Sequence, residues 1–198
     1  MKLQPLPTIL LLIITLTAQA EVTLDGTLGK SCPLPGPDYQ IGADLGRQLG
    51  GNLFHSFQDF NLHSSESATF SGPNSVQNVI SRVTGGDSSH IDGLIRSTIP
   101  NADLYFLNPY GILFGPQARL DVQGSFHAST ADYLRLGNGG SFAARHPSNS
   151  ILTVAPIASF GFLTDSPASI VSEDSNLSVP ERKTLSLIGG NLSLQGQL

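Results

Sequence analysis

The chain has 198 residues, a formal net charge of −5 and only 13% charged residues. That acidic balance carries no basic stripe, so nucleic acid is excluded as an expected partner. A single cysteine, Cys32, rules out an internal disulfide framework, and core packing and strand ladders must hold the fold instead.

Residues 1–20 read as a signal peptide. Lys2 supplies positive charge, residues 9–16 form an apolar run broken only by Thr15, and Ala18-Gln19-Ala20 is an A-x-A cleavage site. A membrane anchor is the competing reading. Gln4, Pro5, Pro7 and Gln19 leave the apolar core short of the ~20 residues that a spanning helix needs. Cleavage is expected after Ala20, so mass spectrometry of the secreted protein should find Glu21 at its amino terminus. No other segment is apolar for long enough to suggest a stable membrane span.

Residues 21–36 are rich in turn signals, with Asp25-Gly26, Leu28-Gly29 and Pro35-Gly36-Pro37, and read as a cap or lead-in. Cys32 sits there as an incidental thiol, with no base or cation beside it in sequence. From Asn52 onward short β-type runs recur, at residues 53–60, 68–70, 76–83, 91–95, 104–107, 112–114, 120–122, 133–136, 157–162, 185–188 and 192–194, with Phe126 and Ile170-Val171 as shorter pieces. Val76, Val79, Ile80 and Val83 have helical spacing, but β-branched residues followed by Gly85-Gly86 favour a strand.

Residues 102–124 are the most telling. Three apolar runs are separated by Asn108-Pro109-Tyr110-Gly111 and by Gly115-Pro116. Asn-Pro starts turns, because proline fixes φ and biases its predecessor away from the α region. A chain that turns this often in small steps winds, and the pattern predicts an all-β β-solenoid with rungs of roughly 20 or more residues. Leu104, Phe106, Ile112, Phe114, Leu120 and Val122 are the expected core positions. Residues 137–147 and 164–180 read as loops or insertions on one face. Strand-like sequence runs to the end without a capping element, which gives the expectation of a last rung that is open or truncated.

The polar groups do not assemble into a catalytic pattern. Residues 87–92 contain Asp, Ser and His but read as a polar turn, and His55 and His63 read as surface histidines. Asp103 and Asp121 lie on neighbouring runs and read as turn residues. Asn176-Leu177-Ser178 and Asn191-Leu192-Ser193 match a glycosylation pattern, yet read as turn and strand starts whose Asn can ladder between rungs. No hydrolase, zincin, phosphate-loop or dinucleotide motif is present. No catalytic residue, metal or cofactor is expected.

Several segments together resemble the filamentous haemagglutinin N-terminal domain, the secretion domain of two-partner secretion exoproteins. They include Ile41-Gly42-Ala43-Asp44-Leu45-Gly46, Asn52-Leu53-Phe54-His55-Ser56-Phe57, Val79-Ile80-Ser81-Arg82-Val83, Asn108-Pro109-Tyr110-Gly111-Ile112 and Ser129-Thr130-Ala131-Asp132. The resemblance covers about residues 24–194. It implies a right-handed parallel β-helix with an N-terminal cap and extra-helical hairpins, in one domain spanning residues 21–198. It also implies export through the periplasm of a Gram-negative-type bacterium to the surface or medium, by an outer-membrane β-barrel transporter whose periplasmic domains bind the module. Asn108, Pro109, Tyr110 and Gly111 are the implied recognition motif. The family usually has a second Asn where Tyr110 stands. Host or cell-surface glycans or proteins are further candidate partners. The alternatives are a β-helical carbohydrate-active enzyme and an orphaned exoprotein fragment without a transporter.

Overall fold

The structure, a computed structural model, describes residues 21–196; the leader with Ala18 and Ala20 lies outside the described residues. Eighteen strands follow one another in these residues. The first nine are β1 (Val22–Leu24), β2 (Asp38–Gly42), β3 (Arg47–Leu49), β4 (Asn52–Phe60), β5 (Ser67–Ser71), β6 (Asn78–Val83), β7 (Ser89–Ile91), β8 (Leu94–Ser97) and β9 (Asp103–Leu107). Then come β10 (Ile112–Phe114), β11 (Arg119–Asp121), β12 (Phe126–Ser129), β13 (Tyr133–Leu136), β14 (Ser141–Ala143), β15 (Ile157–Gly161), β16 (Ile170–Glu173), β17 (Leu185–Ile188) and β18 (Leu192–Gln195). The helical content described is two three-residue 3-10 turns, Ala43–Leu45 and Pro147–Asn149.

The strands coil into a three-sided parallel β-helix. The main sheet stacks β4, β6, β9, β12 and β17, the second stacks β7, β10, β16 and β18, and the third stacks β2, β5, β8 and β11. Pairing is parallel along all three stacks. The chain visits the third, main and second sheets in turn, which is the solenoid expected from the sequence. Register fixes the rung length. Leu53 pairs with Val79, Val79 with Leu104 and Leu104 with Phe126, steps of 26, 25 and 22 residues. This drift is why no strict repeat is visible in the sequence.

Alternation along each strand sorts side chains inward and outward. On the main sheet Leu53, Val79, Leu104 and Phe126 form one inward column, and Phe57 and Val83 belong to another. The interior is closed by phenylalanines, with Phe60 touching Phe57, Phe70 and Phe106 at ring separations of 5.1, 6.4 and 4.9 Å. Of the expected core residues, Leu104, Phe106, Ile112, Phe114 and Val122 are buried, and Leu120 is half-buried against the same cluster.

The N-terminal segment caps the coil as expected. β1 and β3 run antiparallel to β4, so the first rung meets antiparallel backbone. Between β12 and β16 the chain leaves the coil and builds a three-stranded antiparallel sheet, β14-β13-β15. This sheet lies on the outward face of the main sheet, where Phe54, Ile80 and Leu107 bury against Leu134, Leu136 and Phe142. An asparagine ladder also holds the excursion. Asn78 donates to Asn52 Oδ1 at 2.9 Å, and Asn52 Nδ2 donates to the carbonyls of Thr153 and Ala155 at 3.2 and 2.9 Å.

Six expectations need correction. Residues 87–92 are not all turn, since Ser89–Ile91 form β7, and Asp103 and Asp121 lie on β9 and β11 rather than in turns. Residues 91–95 are not one run: the chain turns at Asp92-Gly93, with β7 and β8 in different sheets. Residues 137–147 are not only loop, because β14 completes the antiparallel sheet. Residues 164–180 are not all insertion, since Ile170 is fully buried and pairs with Ile112 to resume the coil. His55 is not on the surface; it points inward with 0% exposure between Phe57 and Phe70.

Candidate functional site

The turn after β9 is built as its residue types dictate. Asn, Pro and Gly at the first, second and fourth positions of a type I turn are the favoured set. The Gly111 N–H donates to the Asn108 carbonyl at 3.2 Å, closing the turn. Tyr110, at the third position, has no positive φ, so a tyrosine stands there without strain. Gly111 leaves the turn at φ 122°, a conformation that favours glycine.

Asn108 is fully buried and its side chain is spent inside the fold. Its Nδ2 donates to the Asp87 carbonyl and to Ser89 Oγ, both at 3.0 Å, and its Oδ1 accepts from the Tyr110 N–H at 2.9 Å. The amide therefore ties this turn to the preceding rung. Pro109 is buried too, and Tyr110 is the half-buried side chain of the four. Asn108→Ala would strand three partners, so it should lose about 1–3 kcal/mol at roughly 1 kcal/mol per hydrogen bond. Urea unfolding of the purified mature chain checks this.

The extra-helical sheet docks on the same turn through two residues. Arg145 lies over the Tyr110 ring at 4.9 Å, donates to the Pro109 carbonyl at 3.2 Å and pairs with Asp132. Asp132 is 1% exposed, and its second oxygen accepts from the Leu163 N–H at 2.6 Å. A buried carboxylate is retained only where it is paired and hydrogen-bonded, so this pair fixes the excursion to the motif. Asp132 lies in a segment that carried the family resemblance. Arg145 had no local signal, because its partner is thirteen residues away across a strand.

A second cluster was missed altogether. Arg82, on β6, points outward beneath the excursion and is 1% exposed. Its Nε donates to Ser56 Oγ at 2.7 Å, Nη1 to Ser150 Oγ at 2.7 Å and to the Ala143 carbonyl, and Nη2 to Thr27 Oγ1 at 2.8 Å. It also stacks over Phe142 at 4.2 Å. One guanidinium thus joins the cap, two rungs and the excursion. Burial draws its pKa down to about 10, opposed by Asp25, and it stays charged at neutral pH. The one available signal was an arginine inside a β-branched run.

Of the other acids and histidines, Asp87, Asp92, Glu173, His63 and His90 line one open cleft of about 540 Å³, where His90 Nε2 lies 3.2 Å from Ser88 Oγ. Asp92 and Asp103 accept from the backbone N–H of Gln117 and Ser125, both at 2.7 Å, and Asp121 pairs with Arg96 at 2.7 Å. His63 and Cys32 are exposed. Among the described residues there is no cluster of three or more His, Cys, Asp or Glu able to hold a metal, and no helix long and apolar enough to cross a membrane.

Comparison with known proteins gives the family of this chain. The family model of the TPS secretion domain matches residues 20–198. The chain belongs to this two-partner secretion domain family. It is also 30% identical over 94 residues to the heme/hemopexin-binding protein of Haemophilus influenzae, a match covering 45% of the chain and 10% of that relative. The matched segment thus spans about a tenth of the relative's length. No solved structure matches. Membership makes the chain a secretion module of a two-partner exoprotein, a class that Gram-negative bacteria export through a partner outer-membrane transporter.

Proposed function

We propose that this chain is the targeting module of an adhesin-like exoprotein of the filamentous haemagglutinin kind, non-enzymatic and destined for the cell surface or medium. The periplasmic domains of an outer-membrane β-barrel transporter recognise it. The observation that carries this reading is the family match across residues 20–198. A carbohydrate-active role would have to use the cleft lined by Asp87, Asp92, Glu173, His63 and His90, and the family match does not favour it.

Within the motif, roles divide by exposure. Asn108 sets the turn from inside, and Tyr110, held under Arg145, offers the contact surface. The test is binding of the purified mature chain to the periplasmic domains of its transporter, beside export in cells carrying both. The unaltered chain should bind and be exported. Tyr110→Ala should weaken binding while moving stability by only about 0.5–1 kcal/mol, the size of an exposed cation–π contact. No binding by the unaltered chain would overturn the reading. Undiminished binding by the variant would remove Tyr110 from the contact.

A further inference from the structure

Arg82 and Arg145 form an instructive contrast. Both pin the excursion to the coil, but Arg145 has the carboxylate of Asp132 against it and Arg82 has none within 4 Å among the described residues. Asp25 answers Arg82 at one remove. It accepts from Ser56 Oγ at 2.6 Å, from Thr84 Oγ1 at 2.9 Å and from Thr27 Oγ1 at 2.9 Å, and two of these hydroxyls take the guanidinium protons. A guanidinium has five N–H donors. Four are placed by the contacts above, and the fifth, on Nη2, has no acceptor among the described residues.

Arg82 lies at the floor of a cleft of about 340 Å³ between the cap, β3 and the segment after β14. Thr27, Arg47, Ser148 and Ser150 line it with Arg82, and Leu152 supplies an apolar wall. None of the lining residues is acidic, in a chain with 15 acids and 10 lysines and arginines. Arg47 is exposed, and its side chain makes no hydrogen bond or ion pair among the described residues. Ser148 likewise has an uncommitted hydroxyl. The Arg47 guanidinium, the one unspent N–H of Arg82 and the hydroxyl protons of Ser148 and Ser150 around one cavity are the kind of donor set that recognises planar or tetrahedral oxyanions. The volume is at the small end of the range for small-molecule sites.

We propose that this cleft binds an oxyanion group, a phosphate, sulfate or carboxylate, with Arg47 at its mouth and Arg82 and Ser148 within. The bound anion supplies the charge partner that Arg82 lacks and bridges the cap to the excursion, so occupancy locks the two together.

The test is thermal melting of the purified mature chain against rising inorganic phosphate, inorganic sulfate or glucose 6-phosphate, with sodium chloride at matched ionic strength as reference. A ligand that binds only the folded state raises the midpoint with the logarithm of its concentration. The unaltered chain should show that rise. Arg47→Gln, which touches no partner and should fold normally, should need about tenfold more anion for the same rise, the loss of one charge-assisted contact. Arg47→Lys should fall between the two, since it keeps the charge and loses the fork. Tighter binding of the sugar phosphate than of inorganic phosphate assigns the group to an esterified ligand, and equal binding assigns it to the free anion. No rise over chloride, or the same rise in Arg47→Gln, overturns the proposal, because salting effects on the whole surface ignore Arg47.

Discussion

Phe60→Ala should lower the unfolding free energy of the mature chain by about 3–5 kcal/mol, the range for emptying a buried aromatic site. Phe60 is the point where the cap meets the coil. It ends β4, pairs with Val22 of β1 and has 0% exposure. Its ring touches Phe57 on its own strand, Phe70 on the third sheet and Phe106 two rungs on. These partners belong to several strands, and no single shift can collapse the hole. Each aromatic contact adds about 0.5–1.5 kcal/mol beyond area burial. Leu120→Ala is the contrast, at a half-buried site of the same cluster, and should lose clearly less. Urea melts of both variants check the order. Equal losses would show that the interior relaxes around Phe60.

The main elements of this coil were legible because local rules and the fold agree. Asn-Pro-Tyr-Gly reads as a turn and is one, and the apolar residues of 104–107 and 112–114 alternate as buried strands must. What stayed hidden depends on distance. The strands at 133–136 and 157–161 look like any others in sequence, yet they form an antiparallel sheet outside the coil, because their apolar side chains meet Phe54 and Ile80 from far upstream. The Arg82 cluster draws on residues 27, 56, 143 and 150, so no local window contains it. At the motif, the sequence signalled Asn108 as a recognition residue, and burial shows where its amide is used, against Asp87 and Ser89. His55 misled for another reason. Its neighbours alternate, so its inward parity was visible, but a histidine in that column is an unusual occupant.

That occupant makes the fold sensitive to acid. Both ring nitrogens of His55 lack hydrogen-bond partners among the described residues, and the ring is enclosed by Phe57, Phe70 and the backbone near Gly46. Burial lowers its pKa from 6.5 to about 4. Asp44, itself bonded to Lys30, is the charged group that opposes this, and it is outweighed. A proton on His55 therefore favours the unfolded chain, where the imidazole titrates normally. Stability from this group is complete above pH 6.5, declines as pH falls through the window from 6.5 to 4, and is down by about 3 kcal/mol at pH 4 and below, at 1.36 kcal/mol per pKa unit. His55→Leu keeps a similar volume and removes the titration. Unfolding free energies measured from pH 7.5 to 4 should diverge, with the unaltered chain losing more than the variant by that amount. Carboxylates, and His127, whose pKa burial also lowers, titrate in both proteins and cancel in the difference. Parallel curves would mean that the imidazole finds a partner for its proton on acidification and that its burial sets no pH limit on the fold.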